Sequence, residues 1–199
     1  MKIEMNLPNI LTLTRIVFTP IMVLMLLLGI PNGIGVFIAL GIYVVGCFTD
    51  LLDGKIARKY NLITDFGKFM DQIADKFITT TAMILVLFAG VTYSWLAIIM
   101  ILIVVLRDIL IGGIRMVAAN NNIVIPADIY GKVKSFFLDL GSMTLMLYIG
   151  LREITNKNFV TLICNLGLAF LIVGVVLSVI SCINYTVKAF KTKPAEKAE

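Results

Sequence analysis

Residues 50–75, DLLDGKIARKYNLITDFGKFMDQIAD, decide how the rest of the chain is read. They set Asp50, Asp53, Asp71 and Asp75 among basic residues, inside a 199-residue chain that is 60% hydrophobic with mean hydropathy +1.02. A charged side chain at bilayer depth costs about 2.5–3.5 kcal/mol on insertion scales, so an apolar protein keeps one only where it pairs, meets water or binds something. The spacing is helical. Asp50, Asp53 and Ala57 stand at i, i+3 and i+7, and Gly67, Asp71 and Asp75 at i, i+4 and i+8, so each set shares one helix face.

Between the two faces, KYNLIT (59–64) is a polar break at which the helices are predicted to turn back antiparallel. With the turn centred near Leu62, Asp53 and Asp71 each lie nine residues away, so the acids pair in depth. At about 1.5 Å per residue the deeper pair, Asp50 and Asp75, lies within roughly 20 Å of the turn. Four carboxylates gathered in a low-dielectric site cannot all stay ionised without a positive partner. A metal is the simple answer. The chain has no histidine, and Cys47, Cys164 and Cys182 lie elsewhere, inside apolar runs at no metal-like or disulfide-like spacing. An all-oxygen site suits magnesium or manganese, and two ions sharing carboxylates clamp a phosphate during in-line displacement. Lys55 and Arg58 add positive charge for the same phosphates.

Asp50, Asp53-Gly54, Ala57-Arg58, Gly67, Asp71 and Asp75 fit the pattern DxxDGxxARx8GxxxDxxxD at all its specified positions. By that pattern the chain resembles the CDP-alcohol phosphatidyltransferases, integral membrane enzymes with six spans that replace CMP on a CDP-linked lipid by an alcohol. The resemblance implies that Asp50, Asp53 and Asp71 hold metal ions, with Asp75 beside them as general base on the attacking hydroxyl. It also implies that Gly54, Ala57 and Gly67 leave room for the cytidine nucleotide and that Arg58 lies near the diphosphate. The rival reading of these residues is an ion-paired hairpin whose small residues ease helix packing.

The remaining chain is predicted to be one all-α membrane domain with a polar, metal-binding cavity on its cytoplasmic side. A first span follows Pro8 to about Ile30, with no A-x-A-like cleavage site after it. Pro31-Asn32-Gly33 is a turn, and spans are expected from about 34, 65–89, 95–119, 129–150 and 159–187, with 1–7 juxtamembrane and 188–199 a polar tail. Six spans result. Of seventeen Lys and Arg, only Arg152 and Lys157 then fall in outer loops, so positive-inside bias puts both termini and the acidic hairpin's turn in the cytoplasm. A formal charge of +5 suits anionic lipid headgroups rather than nucleic acid.

Two further segments bear on substrates. In PNILTLTR (8–15), Asn9, Thr12 and Arg15 share a face by their spacing of three, and the segment resembles the PNxLTxxR run of bacterial members that make phosphatidylglycerophosphate. Asn9 and Thr12 are therefore candidates for nucleotide or diphosphate contact. Arg107 and Arg115 on the fourth span, with Lys132 and Lys134 starting the fifth, could form a cationic pocket for a phosphorylated acceptor. Alternatively the lysines anchor the membrane interface, Arg115 snorkels and Arg107 pairs with a carboxylate such as Asp139. RDILIGGIR and GKVKS resemble segments of the family members whose acceptor is glycerol 3-phosphate, with Asp108, Ser135 and Gln72 departing from their usual residues. The donor implied is CDP-diacylglycerol. Other acceptors in the same family are phosphatidylglycerol, inositol phosphate and serine, and homodimers are common in it. A cation transporter is the reading from another class, but its signs, inverted repeats and acids near the midplane, are missing.

Overall fold

The structure, a computed structural model, describes residues 6–28, 30–60, 64–88, 94–120 and 129–191. Among them the chain forms six helices and no strand: α1 (Leu7–Leu27), α2 (Ile34–Lys59), α3 (Asp65–Phe88), α4 (Ser94–Asn120), α5 (Ile129–Leu151) and α6 (Lys157–Lys191). A single 3-10 turn, Pro31–Gly33, leads into α2. The predicted turn centre at Leu62 lies outside the described residues.

α6 runs on to Lys191, past the expected end at 187 and into the expected polar tail, and two other boundaries differ for a local reason. α1 stops at Leu27, short of Ile30, where the Leu28 N–H closes on the Leu24 carbonyl and Pro31 begins the next turn. Gly33 then adopts a left-handed φ of 69°. A Cβ there would strike the Gly150 carbonyl, so glycine is required twice over. α6 starts at Lys157, ahead of Phe159, because Asn156 caps it with a 3.2 Å bond from the Asn158 N–H to its Oδ1. Counting from the first apolar residue overlooks such a cap.

By length and composition α1, Trp95–Ala118 of α4 and Lys157–Ala189 of α6 can each cross a membrane. The apolar part of α2 covers Ile34–Asp50, and the charges that interrupt α2, α3 and α5 include those of the candidate sites. The three cysteines are free thiols.

The helices form two compact units: residues 1–92 with 142–167, and residues 93–141 with 168–199. In the first, α1 packs along α2 and α3 over a core that includes Met22, Ala39, Tyr43, Ala74 and Ile78. Small residues bring the backbones close, as lipid-embedded helices require when hydrophobic burial no longer drives them together. Gly46 is such a point: a Cβ on it would overlap the Ile78 side chain. In the second unit α5 and α6 interlock leucine into glycine, Leu138 over Gly174 and Leu171 over Gly141. A Cβ on Gly141 would stand 2.8 Å from the Leu171 side chain and 3.0 Å from its backbone nitrogen. Gly141→Leu is therefore expected to destabilise the protein by about 1–3 kcal/mol through overpacking. Gly41→Leu, where a Cβ meets nothing within 4 Å, should melt like the unaltered protein in the same detergent, and equal melting of the two variants would refute the interlock.

Candidate active site

Asn9, Thr12, Arg15 and Thr19 form a buried polar stripe along α1. A helix in an apolar setting must satisfy such groups internally, and the threonines do so by donating one turn back, Thr12 to the Pro8 carbonyl at 3.1 Å and Thr19 to the Arg15 carbonyl at 2.9 Å. The stripe faces the acidic helices. At its outer end the Asn9 side-chain amide donates to Thr64 Oγ1 at 3.1 Å, and the same oxygen accepts the Gly67 N–H at 3.0 Å as the N-cap of α3. α1 thereby positions the helix that bears Asp71 and Asp75.

Gly67 lets Asn9 approach closely: a Cβ on it would collide with Asn9 Oδ1. Asn9 reaches the α3 cap, and Thr12 accepts a 3.4 Å bond from Arg15, so both predicted nucleotide contacts lie in the spine that supports the acids.

Deeper along the stripe, Arg15 joins the two acidic faces. Its Nη1 donates to Asp50 Oδ1 on α2 and its Nη2 to Asp71 Oδ1 on α3, the latter at 3.0 Å. Arg15 is 1% exposed, whereas the Asp50 and Asp71 side chains are 38% and 49% exposed. The cation lies behind, and the carboxylates look outward. Asp75, one turn beyond Asp71, lies within the field of Asp50, Asp71, Arg15 and Lys76. Asp50, Asp71 and Asp75 are thus brought together as their spacing predicted. Gly54 lies half-buried in α2, and the side chains of Asp53, Lys55, Ala57 and Arg58 are outside those described. Among the described residues, no three acidic or thiol side chains gather closely enough to hold an ion by themselves. The chemistry of the donors nevertheless fits a hard cation, since two aspartates from different helices already converge on one positive group and keep open sides.

The second unit holds the predicted acceptor residues, in a different arrangement. Arg107 Nη1 and Lys134 Nζ both donate to Asp108 Oδ1 at 2.7 Å, and Arg107 Nη2 donates to Ser181 Oγ at 2.7 Å. The carboxylate that Arg107 takes is thus its neighbour Asp108 rather than Asp139. Lys134 is 3% exposed, as a cation can be only when paired. Of the four cations expected for the acceptor, Arg107 and Lys134 are drawn into this buried cluster, while Arg115 and Lys132 are exposed. Gly131 lies against the cluster, where a Cβ would stand in ordinary contact, 3.4 Å from Ser181 Oγ and 3.8 Å from Arg107 Nη2. Sequence reading missed Ser181, which is 74 residues from Arg107 and sits in an apolar run without a motif. It met Asp108 only as a departure from a pattern.

Helices long and apolar enough to cross a membrane, with acids held by a buried arginine among them, define an all-helical integral membrane protein that carries a cluster of charges. The model of the CDP-alcohol phosphatidyltransferase family matches residues 5–183, across both compact units, and the chain belongs to that family. It is a multi-pass membrane enzyme. Two relatives show how far the likeness extends. The CDP-diacylglycerol–glycerol-3-phosphate 3-phosphatidyltransferase of Bacillus subtilis (strain 168) is 30% identical over 179 residues, covering 85% of this chain and 91% of the relative. A protein of the same name from Rickettsia bellii (strain RML369-C) is 36% identical over 136 residues, 68% of this chain and 72% of the relative.

Proposed function

We propose that this enzyme transfers the phosphatidyl group of CDP-diacylglycerol to the free hydroxyl of glycerol 3-phosphate, forming phosphatidylglycerophosphate and releasing CMP. The observation that carries the reading is the match along most of the chain to relatives bearing that activity in their names. The buried cations support it independently. Arg107 and Lys134 bring two cations to one carboxylate oxygen, and among the described residues the buried Arg107 Nε makes no hydrogen bond. A phosphate dianion on the acceptor offers acceptor atoms and negative charge to such a pair.

Asp50, Asp53, Asp71 and Asp75 would hold magnesium or manganese, two ions in all, which when bound polarise the diphosphate and neutralise its charge. The other steps fall to the chain. Asp75 accepts the proton of the acceptor hydroxyl, whose oxygen bonds to the lipid-side phosphorus as the bond from that phosphorus to the CMP oxygen breaks. Arg58, with Gly54 and Ala57, receives the nucleotide end. In this reading both termini and the site face the cytoplasm across the inner membrane, and two copies pair as in other family members.

CMP release by the purified enzyme, with CDP-diacylglycerol, magnesium and each acceptor in turn, tests the assignment. Dependence on glycerol 3-phosphate is the expected result, whereas release with inositol phosphate, phosphatidylglycerol or serine alone would overturn the choice of acceptor. Lys134→Met should raise KM for glycerol 3-phosphate about 10–100-fold, the equivalent of losing a charge-assisted bond worth about 1.5–3 kcal/mol, with a smaller change in kcat. A KM within about twofold of the unaltered enzyme would place the acceptor phosphate elsewhere.

A further inference from the structure

Among the described residues Arg15 is the largest side chain that is fully buried, and it is a cation. Its guanidinium reaches one oxygen, Oδ1, of Asp50 and one, again Oδ1, of Asp71, and it touches Thr12 Oγ1 behind them. Its stem passes Gly46, where a Cβ would already stand 4.0 Å from Arg15 Cγ. The side chain is therefore walled in on the side away from solvent. An arginine placed to be displaced by an incoming ion would need somewhere to go, and 1% exposure provides no such route.

We infer that Arg15 is a positioning residue for the metal ligands, a fixed cation behind Asp50 and Asp71 that sets the direction of both carboxylates before any ion arrives. This rests on the metal reading above. Each aspartate is held through one oxygen at the rear, while 38% and 49% of their side-chain surfaces stay open at the front. Planar guanidinium geometry suits the task, because its two terminal nitrogens can address two carboxylates at once and an ammonium's point charge cannot fix both. Partners behind metal ligands generally contribute about 10–100-fold to metal affinity by orienting them. The charge of Arg15 also offsets the repulsion between two ionised aspartates brought to a common point.

Equilibrium binding of Mn2+, followed by electron paramagnetic resonance on chelator-treated protein in detergent, reads this role without turnover. Arg15→Gln is expected to bind Mn2+ about 10–100-fold more weakly than the unaltered protein. Thr19→Val removes a buried hydroxyl from the same stripe without touching a carboxylate and should bind within about twofold of it. Arg15→Lys covers the case in which the glutamine variant does not fold: the charge is kept, the two-carboxylate reach is lost, and weaker binding is again expected. Equal or tighter binding by Arg15→Gln would make Arg15 a competing cation and overturn the inference. So would full affinity in Arg15→Lys, or a loss in Thr19→Val as large as in Arg15→Gln. Absence of Mn2+ binding by the unaltered protein would overturn the metal reading itself, and this inference with it.

Discussion

Asp75→Asn is expected to cut CMP release by about 10²–10⁴-fold, the range a positioned general base contributes. Asparagine keeps the shape of the side chain and removes its ability to take a proton. The site around it should survive, because the bonds that hold the acidic helices run through Arg15, Asp50, Asp71, Asn9 and Thr64 and bypass Asp75. Binding of CDP-diacylglycerol, measured by calorimetry on the same preparation, should therefore change by less than about tenfold even though Asp75 is also proposed as a metal ligand. A variant that turns over within tenfold of the unaltered enzyme would remove Asp75 from the role of base. One that loses binding and turnover in parallel would instead make it purely a ligand.

Asp108→Leu carries the largest expected cost to stability. Its Oδ1 is the shared acceptor of Arg107 and Lys134, whose side chains are only 11% and 4% exposed. Removing one partner of a buried ion pair destabilises by about 3–5 kcal/mol, because the buried charges lose a counter-ion that water does not replace. Ser181 continues to hold one arm of Arg107, so the greater burden falls on Lys134. Adding Lys134→Met to Asp108→Leu should then recover a large part of the loss, since an apolar pair in the same volume removes the buried charge that Asp108 had balanced. Unfolding in mixed micelles across the single and double variants measures this. A double variant no more stable than Asp108→Leu would show that the pairing seen here contributes little.

Gly141→Leu, Lys134→Met and Arg15→Gln extend the same reasoning to helix packing, acceptor affinity and metal affinity. The variants address separate parts of the protein. Loss of glycerol 3-phosphate affinity in one need not accompany loss of metal in another.

Several features were legible without coordinates because they depend on local periodicity and on the price of charge in hydrocarbon. The six helices start and stop close to their predicted positions, since long apolar runs bounded by Pro, Gly and polar turns leave few alternatives. The nearness of Asp50, Asp71 and Asp75 was legible from two helix faces and the polar break between them, and the family followed from the full pattern. Asn9, Thr12 and Arg15 also read as one face. What that face touches could not be derived from α1 by itself, because a partner 35 or 56 residues away is chosen by packing.

The amino-acid sequence by itself determined the helices, their apolar character, the acidic motif and the family, all of which arise from residue type at short fixed spacing. Only the tertiary structure decided that Arg15 stands behind Asp50 and Asp71, that Asn9 lies against Gly67, and that Arg107 and Lys134 meet at Asp108 with Ser181 beside Arg107. Hydropathy and periodicity assign a side chain to a face, but a buried charge takes whichever counter-group the neighbouring helices bring within about 3 Å, and that is settled by how small residues let those helices approach.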